Sequence, residues 1–206
     1  MHFTDTYLSV ERESEAQYRD RGSRFQAYVF PVNSLAQIKH KIEFLKKEHP
    51  AAVHYCYAWR LGADKKLFRA NDDGEPAGSA GKPIFSQILS RDLSDVLVVV
   101  VRYFGGSLLG VPGLIKAYKT SASLALDQNK IVERHVLESF RVCFDESDLG
   151  ELSQVLRQLD AEVTARDYQE RYIWTFSLRK SKVPLLEAKK ASLYKTEFEH
   201  IQNHDT

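Results

Sequence analysis

The run Val96-Leu97-Val98-Val99-Val100-Val101, closed by Arg102 and followed by Gly105, Gly106, Gly110 and Gly113, constrains this chain more than any other feature. Crowded β-branched residues favour a strand, and the lack of alternation with polar residues requires cover on both faces. The spacing therefore predicts a central strand over Asp95 to Tyr103, a glycine-rich turn from Gly105 to Gly113, and a helix over Leu114 to Leu126. The run is far shorter than the roughly 18 apolar residues of a membrane span. The first residues, with Asp5, Glu11, Arg12, Glu13 and Glu15, lack the basic and apolar segments of a secretory signal. The expectation is a cytoplasmic protein with no membrane partner.

Around that strand the periodicities alternate. Residues 1 to 22 are polar and read as an extended arm. Phe25, Ala27 and Val29 mark a strand ending at Pro31, and Leu35, Ile38, Ile42 and Leu45 mark a helix capped by Ser34 and stopped before Pro50. The lysines on its other face, Lys39, Lys41, Lys46 and Lys47, are better explained as a solvated face than as a nucleic-acid patch. In the strand Ala52 to Leu61, tyrosines and Trp59 share one face while His54, Cys56, Ala58 and Arg60 share the other. Leu67 to Ala70 pairs back. After an irregular segment, Pro83 is expected at the first position of a helix. From about residue 136 the order strand, helix, strand, strand, helix restarts, with Ser147 or Asp148 as a cap and Pro184 opening the last helix. The fold class expected is α+β, with one domain over residues 1–135 and a smaller open-faced βαββα domain over residues 136–206.

Charge excludes a general polyanion binder, since 29 basic residues stand against 28 acidic ones. Residues 1–135 nonetheless carry 19 basic and 15 acidic residues, which leaves room for a local anion site. Strand, glycine-rich turn and helix is how proteins build such sites, because glycines admit a phosphate to the backbone and the helix N-terminus offers free N–H groups. Arg102, Tyr103, Gly105, Gly106, Gly110, Gly113, Lys116 and Lys119 are the candidate residues. Tight-turn geometry explains the glycines equally well. Gly105 and Gly110 have Walker A spacing, but Val111 and Pro112 replace its Lys and Ser/Thr, so a P-loop NTPase is excluded.

The segment Asn71 to Lys82 holds a second candidate set in Asp72, Asp73, Gly74, Glu75, Gly78, Ser79 and Gly81, with His54, Cys56 and Arg60 from the neighbouring strand. The three carboxylates lack the alternate spacing of an EF-hand loop, and turn and cap chemistry explains them better than a cation does. With only Cys56 and Cys143 there is neither a disulfide framework nor a C-x-x-C, and no metal or cofactor is expected. Ser79 fails the G-x-S-x-G pattern because residue 77 is Ala. A Cys56–His54 nucleophile is weighed against a buried thiol beside a hydrogen-bonded histidine, the commoner arrangement.

Taken together, Ser23-Arg24-Phe25, His54-x-Cys56-x-Ala58-x-Arg60, the segment D-D-G-E-P-A-G-S-A-G-K-P from Asp72 to Pro83, and R-Y-F-G-G-x-x-L-G from Arg102 to Gly110 resemble the IMPACT/YigZ family over about residues 20–130. Pro112 departs from a usual glycine, Lys116 from a frequent arginine and Ser79 from a usual threonine. The resemblance implies a first domain like the second domain of a small-subunit ribosomal protein and domain IV of elongation factor G. It also implies a ferredoxin-like second domain resembling domain V of that factor. Eukaryotic relatives regulate translation by competing for the coactivator of an initiation-factor kinase, through proteins that carry a further domain this chain lacks, so that partner is not implied here.

The leading expectation is a binding protein connected with RNA, the ribosome or a translation-associated protein, with phosphate held near Arg102 and Lys116; Tyr103, Phe104 and Tyr118 would stack bases where exposed, with core packing the expected role of at least two of them. The alternative is an enzyme on a phosphorylated or acidic small molecule, the two loops walling one cleft, with Asp73 or Glu75 as acid/base and Arg102 as clamp. A third is an interaction module, whose sign would be an exposed apolar patch. The oligomeric state is left open.

Overall fold

The computed structural model describes residues 5–193 and 195–201, which fall into two compact units, one of residues 7–134 and one of residues 135–201 with residues 5–6. In the first unit a five-stranded sheet has the order β2-β3-β6-β4-β5. At its centre β6 (Val96–Tyr103) pairs antiparallel with β3 (Ser23–Pro31) and β4 (His54–Leu61). Every residue from Val96 to Val101 is fully buried, and alternate residues enter two different cores. Val96, Val98 and Val100 join Phe25, Cys56 and Ala58 beneath α2 (Gly81–Ser90) and α3 (Gly110–Asp127). Leu97, Val99 and Val101 join Trp59, Leu61 and Leu45 beneath α1 (Leu35–Glu48). Double cover is why the run never alternates.

Where polarity dominates, the sequence pattern misleads. The expected arm instead holds β1 (Thr6–Val10), paired with β7 (Ile131–His135), and β2 (Ser14–Asp20), the sheet edge beside β3. An edge strand keeps one margin in water and buries little; from β2 only Ala16 and Tyr18 reach the core. The other edge is β5 (Leu67–Asn71), paired with β4. Ser34 does cap α1, its Oγ accepting from the Gln37 N–H at 3.3 Å. Pro83 lies third in α2 rather than first, still among the four helical N–H positions that lack an intrahelical acceptor. α3 begins at Gly110, so Gly110 and Gly113 belong to its first turn and not to the loop. A Cβ on Gly113 would sit 3.0 Å from that of Leu109, which the turn packs against.

The second unit runs β8 (Leu137–Phe144), α4 (Leu149–Gln158), β9 (Glu162–Tyr168), β10 (Tyr172–Arg179), α5 (Val183–Lys190) and β11 (Glu197–Ile201). Its strand order is β11-β8-β10-β9, all neighbours antiparallel, over a core of Phe140, Val142, Phe144, Leu152, Phe176 and Leu186. The expected βαββα thus gains a sixth element and becomes a split βαβ pair. β11 escapes the sequence pattern because Glu197, Glu199 and His200 are exposed while Phe198 packs inward. Neither Ser147 nor Asp148 makes a side-chain cap bond to α4. The molecule is mixed α and β in both units, and none of its described helices is long and apolar enough to cross a membrane.

Candidate functional site

The first glycine-rich loop folds onto its own carboxylates. Asp72 precedes α2 and turns back over its start, so that Oδ1 accepts from the Ala80 and Gly81 N–H groups at 3.0 and 2.8 Å and Oδ2 from Gly78 N–H at 2.9 Å. Burial works against its charge, yet these three backbone donors prevail and hold the carboxyl below the usual aspartate range. Asp73, in the left-handed region at φ 43°, accepts from the Tyr55 N–H at 2.7 Å through Oδ2. Gly81 is required because a Cβ there would lie 2.6 Å from the Asn71 backbone nitrogen.

Glu75 is the third carboxylate and joins this loop to β6 and α3. Its side chain is only 3% exposed, and Oε1 accepts from Arg102 Nη1 at 2.5 Å and from the Tyr118 hydroxyl at 2.7 Å. The His54 ring donates from Nδ1 to the Asp73 carbonyl at 2.7 Å, which turns Nε2 toward Glu75 Oε1, 3.9 Å away. Cys56 completes the cluster, its sulfur 3.0 Å from the Asp72 carbonyl oxygen and 3.3 Å from the Tyr118 hydroxyl. Burial pushes both the Cys56 thiol and the Tyr118 phenol up, so each keeps its proton at neutral pH and the cysteine offers no thiolate. Ser79 is fully buried with no protein partner for its hydroxyl.

Thus the first loop reaches the strand and helix that flank the second, and there the expected acid/base group and the expected clamp neutralise each other. Arg102 is 5% exposed, its guanidinium between the Phe25 and Phe104 rings. Arg60 takes no part. It lies at the far end of β4, donating to the Leu93 carbonyl and to Asp92. Tyr103 points to the other sheet face, where its hydroxyl meets His49 Nδ1 at 2.7 Å and Arg24 covers its ring at 4.0 Å. Of the three aromatic candidates, Tyr118 is fully buried and Phe104 is about half exposed. Among the described residues no group of three His, Cys, Asp or Glu is arranged to hold a metal ion.

The second loop is finished differently. Gly105 abuts the β2–β3 turn so closely that a Cβ on it would fall 1.9 Å from the Gly22 carbonyl carbon, and its N–H donates to Ser23 Oγ at 3.2 Å. Gly106, at φ 84°, and Ser107 and Leu108 then stand in solvent, and α3 starts with no side-chain cap. Its outer face carries Val111, Ile115, Lys116 and Lys119, all exposed. Arg21, also exposed, stands on the turn that Gly105 touches, whereas Arg19, exposed near the end of β2 and in register with Arg24 and Tyr103, faces the other side of the sheet. None of these four cations makes an ion pair among the described residues. Arg21 was not legible as a site residue, although a turn reading R-D-R-G beside the motif Ser23-Arg24-Phe25 was the available signal. Tyr118, a stacking candidate in the sequence, is instead core, on the buried face of α3 with Leu114 and Ala122.

The comparisons agree with this architecture. Residues 21–126, which contain both loops and the buried cluster, match the Impact N-terminal domain family. The chain is 35% identical over 171 residues to IMPACT family member YigZ of Escherichia coli, covering 82% of this chain and 84% of that protein. It is 36% identical over 153 residues to IMPACT family member YvyE of Bacillus subtilis, covering 74% and 70%. A solved structure described as that of a hypothetical protein superposes with a TM-score of 0.74 at 29% identity, over 98% of this chain and 100% of that one. The chain belongs to the IMPACT family.

Proposed function

We propose that this chain is a translation-associated binding protein of the cytoplasm that holds the phosphate backbone of RNA on the outer surface of its second glycine-rich loop. The connection with translation comes from the family resemblance. The phosphate contact is supported by one observation: Lys116 and Lys119 stand exposed on α3, six and nine positions after its start, and Arg21 on the turn that Gly105 touches, none of them ion-paired among the described residues, and the start of α3 has no side-chain cap. Unsatisfied N–H groups and a positive dipole end favour an anion there, and these cations neutralise it through counterion release. Phe104, about half exposed at the loop's start, offers a base one stacking surface. On the domain analogies, the split βαβ order of the second unit supports a ferredoxin-like description.

The test is the salt dependence of binding to a single-stranded RNA oligonucleotide. Lys116→Ala with Lys119→Ala should leave the fold intact, since both side chains are in water, and lower the slope of log K against log salt by about 1.4, roughly 0.7 per lost contact. A slope equal to that of the parent protein would end this reading.

A further inference from the structure

The two faces of the central sheet are unequally covered. Two helices lie over one face, but α1 alone spans the other, and it leaves a groove of about 490 Å³ between itself and strands β4 and β5. Leu35, Ile38 and Ile42 of α1 and Tyr57 and Trp59 of β4 make it apolar, while Lys39, Lys46 and Arg69 stand among its lining residues. Its outer boundary is β5, whose second margin pairs with no strand among the described residues. Register sets Asn71, Arg69 and Leu67 opposite Tyr57, Trp59 and Leu61, so these β5 side chains share the groove's face of the sheet. The unpaired N–H and C=O groups of such an edge are a template for another main chain, and a helix alongside supplies side-chain pockets.

We propose that this groove receives an extended, acidic segment of a partner protein, which adds to β5 as a sixth strand. Its main chain would continue the sheet. Side chains on one face of that strand would meet Leu35, Ile38 and Ile42, and carboxylates at its margins would meet Lys39 and Arg69. Among the described residues those two cations make no ion pair, and Lys46 lies over the Tyr55 ring at 5.7 Å with no carboxylate partner. Glu43 and Asp73 stand against three cations in the groove, an excess of one positive charge, and Asp73 is turned to the Tyr55 N–H. A second copy of this chain is a poorer occupant, because antiparallel pairing of two β5 strands brings one Arg69 toward another. RNA is poorer too, since Trp59 is only 6% exposed and gives no stacking face. This surface is separate from the second glycine loop, and neither proposal depends on the other.

The experiment uses the full chain with two short fluorescent peptides, one alternating glutamate with valine and one alternating lysine with valine, read by anisotropy and by amide hydrogen exchange. The glutamate peptide should bind and slow exchange within Leu67–Asn71. The double variant Lys39→Glu and Arg69→Glu should weaken it by about tenfold or more and should instead bind the lysine peptide, which also shows that the variant folds. Equal affinity for the two peptides, no binding of the glutamate peptide, or binding without protection of β5 would overturn the proposal. So would protection of β5 that rises with protein concentration alone, which would assign the edge to a second copy. The same double variant should retain the parent's salt slope for RNA, so failure here and failure of the RNA reading are distinguishable.

Discussion

Both glycine-rich loops lead into a helix N-terminus, yet the first gives that terminus to its own Asp72 carboxylate while the second leaves its helix without a side-chain cap and with exposed lysines farther along it. The glycines are needed in both for close backbone approach, at Gly81 against Asn71 and at Gly105 against Gly22. The difference lies in where the carboxylates are. Acidic residues beside glycines read as catalytic or metal-binding candidates, but here all three are consumed as a cap, a backbone acceptor and a buried counter-ion. Free binding capacity lies in the loop that carries no acid.

The strongest way to break this contrast is Glu75→Ala, which leaves Arg102 buried and uncompensated. It should cost about 3–5 kcal/mol in urea unfolding, whereas Glu75→Leu combined with Arg102→Met should recover much of that loss. A cost below about 1 kcal/mol would mean that the first loop is not held by this pair. Asp72→Asn should cost less, about 1–2 kcal/mol, as expected for a weakened helix cap. Because the folded carboxyl is held below its unfolded pKa, its contribution is present above about pH 4 and is lost as pH falls through that value toward the folded pKa. The Asn variant should therefore lose less stability than the parent between neutral pH and about pH 3, measured as the shift in urea midpoint. Smallest in stability is Ser107→Asp, which installs in the second loop the acid it lacks. Unfolding should change by less than about 0.5 kcal/mol while RNA affinity falls severalfold, and unchanged affinity would dissolve the contrast.

What was legible in the sequence follows from the same physics. β6 announced itself because both of its faces are buried, and α1 because its stripe, cap and terminating proline agree. β2 and β11 did not, since each buries so little apolar surface that only its tertiary partners reveal it. At the site, Arg102 was legible as a cation at a strand end, but its partner stands 27 positions earlier, and pairing at that distance is set by the fold. The same holds for Arg21, whose turn meets Gly105 only because the β2–β3 hairpin packs against the end of β6.

The Gly22–Gly105 approach has a consequence for how the protein comes into being. The Asp72 cap closes within 9 positions of chain, whereas Gly105 meets Ser23 across 82. Short closures form early and long ones late, because the entropy of bringing distant segments together must be met before their contacts exist. On a growing chain the acid-filled loop can therefore mature while the cationic surface is still in two unconnected pieces. The anion contact proposed for the second loop would therefore be assembled only once Gly105 has met Gly22, and binding there would read out finished folding.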